Sequence, residues 1–374
     1  MTANQAGSGP DDLLSAADDY PLHQTPEPIA ISGTDRNFYD RYFFCAQAPD
    51  GGRFLAAALG VYPQLDVMDA AFAWMEGGEQ RSVFASRRLA GRRMDTAVGP
   101  VSVAVEVPLR RLRVRLAETG GLAADVVFEG RHPPVAEPRF SRRLGPRLLM
   151  DLTRMTQNVT ADGEVACDGR VYRLSAWWGT RDRSWGIRPV GGADPQPPPV
   201  PPQFFWLWAP LNFPDHGLLF HRNDDALGRP WNRAMRLLDH ATGSDTGLED
   251  ARAEVAWAPG TRRAAGAVLC GRHPDGGEVR ARLVPGPVFL MHGLGYGHPR
   301  FGHGIWRGER DVAVERFEAL AADPALPAHA HVQALVEAEL QLPDGTTHAG
   351  RGVLEQLAIG PHAPSGFREL FDLA

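Results

Sequence analysis

The chain has 374 residues, a formal net charge of −6, and 43% hydrophobic and 22% charged residues. That length suffices for two ordinary domains or one large one, with a core that needs no disulfide or metal staple, and the composition excludes a largely disordered polypeptide. The mildly acidic balance argues against a dedicated nucleic-acid binder, which would carry a clustered basic face, and the absence of lysine excludes Schiff-base lysine catalysis.

Residues 1–30 are polar, acidic at Asp11, Asp12, Asp18 and Asp19, and Pro-rich towards Pro28, and are expected to form a flexible lead-in. Their charge is the opposite of a signal-peptide n-region. No stretch approaches the roughly 18–20 apolar residues of a membrane span, so a cytoplasmic location and no transmembrane segment are expected. From Asn37 the texture changes. Arg53–Val61, Val98–Val107, Leu112–Leu116 and Ala123–Glu129 are short runs rich in Val, Leu and Phe, punctuated by Gly or Pro as strands are. Ser141–Met155 is the best helical stretch of this half, although Gly145 and Pro146 interrupt it. Asp162-Gly163 and Asp168-Gly169 read as turns around Glu164–Cys167, with Val171–Trp178 following as an alternating strand.

The segment 191–202 cannot be helix or central strand, because stacked prolines enforce a stiff polyproline II spacer. It predicts a linker between an N-terminal domain, 31–190, and a C-terminal one, 203–374. The second half resumes the strand pattern at Gln203–Ala209, His216–Arg222, Ala251–Ala258, Arg263–Cys270, Val279–Val284 and Val288–His292. Val312–Ala322 reads as a short amphipathic helix, and Val332–Leu342 and Gly350–Ile359 flank Pro343-Asp344-Gly345 as a terminal hairpin. Two halves of similar texture suggest a diverged duplication. Many short strands with regular turns imply a mainly β fold of antiparallel barrels or sandwiches, and an eight-stranded barrel is wide enough for one small apolar ligand.

Familiar signatures are missing. There is no GxSxG elbow, HExxH helix or Walker loop, and Gly293-Leu294-Gly295-Tyr296-Gly297 lacks the third glycine of a dinucleotide fingerprint, which would fall at Arg300. Cys45, Cys167 and Cys270 are far apart and odd in number, so neither a disulfide framework nor a zinc ribbon is expected.

Three clusters could carry chemistry. In Trp177–Pro189, a strand would put Arg181, Arg183 and Trp185 on one face and Asp182 and Ser184 on the other. Asp182 reads either as an acid held in an aromatic pocket or as half of a structural Arg–Asp pair. In Phe204–Gly217, an aromatic strand containing Trp206 and Trp208 ends at Asp215-His216, which is either a proton-transfer pair or a polar turn closing a core strand. In His292–Trp306, His292, His298 and His303 could ligate a metal, transfer protons beside Tyr296, or organise a turn; their spacings suit no single helix face, and no metal is expected.

Arg181-Asp182-Arg183-Ser184-Trp185-Gly186-Ile187-Arg188-Pro189 resembles an element of the lipocalin-like two-domain proteins related to carotenoid 1,2-hydratase (hydroxyneurosporene synthase) and AttH. Asn37–Tyr42, Gly295-Tyr296-Gly297-His298 and Gly350–Glu355 are similar to further elements of that group, so the resemblance spans roughly residues 35–360. It implies two tandem calycin-type antiparallel β-barrels packed together, and acid chemistry on polyene or terpenoid substrates without a cofactor. The function expected is protonation of an alkene in an isoprenoid- or steroid-like small molecule, leading to hydration, isomerisation or cyclisation. Asp182 or Asp215 would be the acid and His216 or His298 the relay. Trp185, Trp206, Trp208 and Tyr296 would line the pocket, and Arg181 and Arg188 would orient the acid or a polar substrate end. The alternative is a non-catalytic carrier of a hydrophobic ligand.

Overall fold

A computed structural model describes residues 16–21, 28, 32–193, 201–319 and 322–374. The first half supplies strands β1 (Phe38–Gln47), β2 (Arg53–Tyr62), β3 (Val67–Glu76), β4 (Glu79–Arg88), β5 (Ala97–Val98), β6 (Val101–Val107), β7 (Arg111–Thr119), β8 (Leu122–Gly130), β9 (Val135–Ala136), β10 (Phe140–Leu144), β11 (Arg147–Cys167) and β12 (Arg170–Ile187). The second supplies β13 (Phe204–Asn212), β14 (His216–Asp224), β15 (Pro230–Asp239), β16 (Asp245–Gly247), β17 (Glu249–Trp257), β18 (Ala264–Arg272), β19 (Glu278–Leu290), β20 (Arg310–Glu318), β21 (Val332–Gln341) and β22 (Thr347–Ile359). Only short 3-10 turns accompany them among the described residues.

The strands form two antiparallel sheets. One runs β20-β4-β3-β2-β1-β12-β11-β8-β7-β6-β5, with β9 and β10 attached to β11; the other runs β16-β15-β14-β13-β22-β21-β19-β18-β17. Each curls around its own core, as the expected pair of tandem antiparallel barrels requires. The first encloses Tyr42, Phe44, Phe72, Trp74 and Phe128, and Arg81 of β4 reaches across to Asp168 in the β11–β12 turn at 2.5 and 2.7 Å. The second encloses Phe205, Leu207, Phe220, Leu269 and Leu354, and the Leu248 N–H donates to Met235 O where its edges approach.

A third core lies between the sheets, built from Phe43, Phe54 and Ala58 of one and Trp208, Leu335 and Val353 of the other. It explains β1: Tyr42 and Phe44 point into the first barrel, Tyr39 and Phe43 point to the interface, and the strand is buried on both faces. Apolar side chains therefore occupy both of its faces, with Asp40 and Arg41 buried among them.

Several local expectations are corrected. Ser141–Met155 is not helical; it is β10 turning into β11 through Gly145, at φ 58°. Val312–Ala322 is not an amphipathic helix but carries most of β20, which leaves the second half of the chain to pair with β4; residues 320–321 lie outside the described ones. Its exposure alternates strictly, the period of a strand with one covered face. Asp162-Gly163 is a bulge within β11 and no turn: the Asp162 carboxylate accepts the Ala176 N–H of the opposing strand at 2.8 Å. Asp168-Gly169 is the turn expected, and β21 and β22 form the expected terminal hairpin. Part of the expected flexible lead-in is anchored: Asp19 is fully buried against Arg181 at 2.5 Å, while most of residues 1–30, and 194–200 of the Pro-rich linker, lie outside the described residues.

Candidate functional site

Asp182 sits in β12, opposite Phe43 of β1 and Thr156 of β11. Strand alternation turns Asp182 and Ser184 towards the second sheet and Arg181 and Arg183 into the first barrel. Asp182 thus borders a cavity of about 180 Å³ between the two sheets. Phe140, Met150, Leu152, Phe204, Trp206 and Leu357 supply its apolar wall. Tyr39, Arg188, Tyr296, His331 and Glu355 supply the polar one, together with Arg154.

Burial pushes the Asp182 carboxyl up to about 7; Arg154 pulls it down, whereas Glu137 and Glu355 add to the rise. Arg154 is already committed. It holds Glu137 through two bonds of 2.9 Å and lies against the rings of Trp206 and Trp208 at 4.6 and 5.2 Å. Among the described residues no cation lies within 4 Å of the Asp182 carboxylate, so the acid faces the cavity unpaired.

Glu355 has the opposite environment. Burial opposes its ionisation, but His331 at 2.8 Å, Gln333 at 2.6 Å and the Trp206 Nε1–H at 2.9 Å outweigh that and hold its carboxyl below the usual range. Tyr39 and Tyr296 are raised, mainly by burial, and stay neutral donors. The chamber therefore combines a protonatable Asp182, an ionised Glu355 and two neutral phenols. The set contains one carboxyl that can hold a proton and one that can accept it.

The structure brings together Asp182, Arg188, Trp206 and Tyr296 of the residues singled out in the sequence. The others lie elsewhere. Asp215 is exposed in the β13–β14 turn, with His216 beside His348; six strand residues, roughly 20 Å, separate that turn from Trp206. His298 is spent on its loop, with Nδ1 accepting from the Arg300 and Phe301 N–H groups and Nε2 on Glu315 at 3.0 Å. Arg181 binds Asp19 and Gln157 inside the first barrel. Trp208 is buried under Arg154 against Phe43, and Trp185 lies on the Arg181 side of β12. Asp215, His216, His298, Arg181, Trp185 and Trp208 thus do not border the cavity.

Among the described residues no group of three or more His, Cys, Asp or Glu side chains is placed to hold a metal ion. Of the three histidines considered as ligands, His303 has both ring nitrogens engaged, Nδ1 by Arg188 at 2.9 Å and Nε2 by Leu294 O at 3.0 Å. No helix among the described residues is long and apolar enough to cross a membrane.

Sequence reasoning missed Glu355, Arg154, His331 and Tyr39 as cavity residues. Glu355 and Tyr39 lie in segments carrying the family resemblance, which was the available signal. Arg154 was hidden in a stretch read as helix, and His331 had none.

A protein-family model described as a family of unknown function (DUF8625) matches residues 14–368. The chain belongs to that family. No curated protein matches it significantly. Among solved structures, a crystal structure from Nitrosomonas europaea, provisionally designated AttH, aligns with this DUF8625 member at a TM-score of 0.52 and 13% identity, covering 87% of this chain and 94% of that one. The likeness shows a shared fold and agrees with the AttH side of the resemblance read from the sequence.

Proposed function

We propose that the protein is a cofactor-independent acid–base enzyme acting on a hydrophobic isoprenoid- or steroid-like molecule, whose reactive end enters the cavity between the sheets. The observation that carries this reading is Asp182, a carboxyl raised to about 7 that faces an apolar chamber beside an ionised Glu355. Two carboxyl groups driven apart in pKa divide the roles of acid and base. Protonated Asp182 gives its proton to a substrate alkene, and the side chains of Tyr39, Phe140, Phe204 and Trp206 line the space in which the positive charge develops. Glu355 then takes a proton, either from a neighbouring carbon, completing isomerisation or cyclisation, or from an attacking water, completing hydration. Exchange with solvent through the cavity mouth restores both carboxyls. At about 180 Å³ the chamber is smaller than the usual 300–1,000 Å³ of ligand pockets and suits a ring or chain end.

A carrier would need the same chamber but no poised acid. The test is mass spectrometry of organic extracts from the purified full chain, followed by incubation of the recovered compound with wild type and Asp182→Asn. Conversion by wild type, slowed about a hundredfold or more in the variant, supports the enzyme. A compound that both proteins bind and return unchanged makes the protein a carrier.

A further inference from the structure

We infer that the ligand of this cavity is an organic acid, an apolar chain or ring bearing a carboxylate that docks on Arg188. The inference rests on the cavity being the ligand site, as proposed above, and adds the chemistry of the ligand's polar end. Among the described residues, the arginines around the chamber are paired with one exception. Arg154 is matched by Glu137, and the neighbouring Arg41 by Asp69 at 3.3 Å. Glu355 is held by His331, Gln333 and Trp206.

Arg188 borders the cavity just beyond the end of β12 and has no carboxylate within 4 Å among the described residues; its Nε is buried without a hydrogen-bond partner. Its neighbours position it without neutralising it. The rings of Tyr39 and Tyr296 lie 4.5 and 5.7 Å from the guanidinium carbon. The imidazole of His303, kept neutral chiefly by burial and then by Arg41 and Arg188, accepts one N–H at 2.9 Å. A guanidinium packed on aromatic faces presents its N–H edge, the geometry that binds a carboxylate with two parallel bonds.

The proposed chemistry makes the same demand. An unpaired guanidinium opposes the growth of positive charge on a nearby alkene, and a substrate carboxylate cancels that opposition. The apolar wall of Phe140, Met150, Leu152, Phe204 and Leu357 takes the hydrocarbon.

Titration of the full chain with geranate and with geraniol, one isoprenoid skeleton with an acid or an alcohol end, tests this by calorimetry at pH 6.5, where Asp182 is mostly protonated. Geranate is expected to bind at least about tenfold tighter. Arg188→Met is expected to erase that preference by weakening geranate binding towards that of geraniol, and Arg188→Lys to keep part of it. Equal binding of the two compounds by wild type overturns the acid docking while the cavity reading stands, and so does a preference that survives Arg188→Met. Failure of wild type to bind either compound up to its solubility limit removes the cavity reading and this inference together.

Discussion

Replacing Asp182 with asparagine keeps the shape of the side chain and removes its charge, so its effect on stability reports how costly that charge is. Burial raises the carboxyl from 3.8 to about 7, about three pK units, and each unit corresponds to about 1.4 kcal/mol. Full ionisation would then cost the fold about 4 kcal/mol; the side chain is partly accessible from the cavity, and screening leaves roughly half. Because the folded-state pKa is raised, the native protein keeps a proton that the unfolded chain has released between about pH 4 and pH 7. Wild-type stability therefore falls as pH rises through that window, and the asparagine variant escapes the fall. Urea unfolding of both proteins from pH 5 to pH 8 should show the variant gaining on wild type by roughly 1–2 kcal/mol, while turnover of the identified substrate is lost. A stabilising change that abolishes activity is what a poised acid in an apolar site predicts. A difference in stability that is flat with pH, or that moves against the variant, would mean that the Asp182 carboxyl is not desolvated, and the proposed acid would lose its physical basis.

Glu355→Gln should lower stability at pH 7 by about 1–3 kcal/mol, because His331, Gln333 and Trp206 are arranged around a carboxylate. Its lowered pKa places the wild-type advantage above about pH 4.5, fading as pH falls through the folded-state value, so the two proteins should converge in acid unfolding titrations. Arg154→Met should cost about 3 kcal/mol by leaving the buried Glu137 without its arginine, with only Thr156 and His221 beside it. Removing the cation that holds Asp182 down should also move the Asp182 titration, followed by carbon NMR, to higher pH. Gly179→Ala should destabilise by about 2 kcal/mol or more in thermal unfolding, since a Cβ there would lie 2.1 Å from Cys45 O on β1 and force paired strands apart. A neutral result would contradict the β1–β12 register.

Local pattern accounts for much of what was readable beforehand. Hairpins announced themselves through Asp168-Gly169 and Pro343-Asp344-Gly345, because left-handed turn positions demand particular residues. Alternation along 181–185 correctly separated Asp182 and Ser184 from Arg181 and Arg183, since a strand's two faces follow from its period alone. At 312–318 the period alone does not discriminate, because apolar and charged residues fit a helix and a strand about equally well in so short a stretch. Pairing with β4 decided between them.

The sequence by itself determined a mainly β chain without lysine chemistry, an aromatic strand through Trp206, and an aspartate on the opposite face of its strand from two arginines. Each of these depends only on residue identity and short-range spacing. Only the tertiary structure decided that Asp182 meets Glu355, 173 positions later, that Asp215, His216 and His298 stay outside the chamber, and that Arg154 is neutralised by Glu137 while Arg188 is not. Long-range strand pairing sets which faces become buried together, and burial with or without a partner charge sets whether a carboxyl holds its proton.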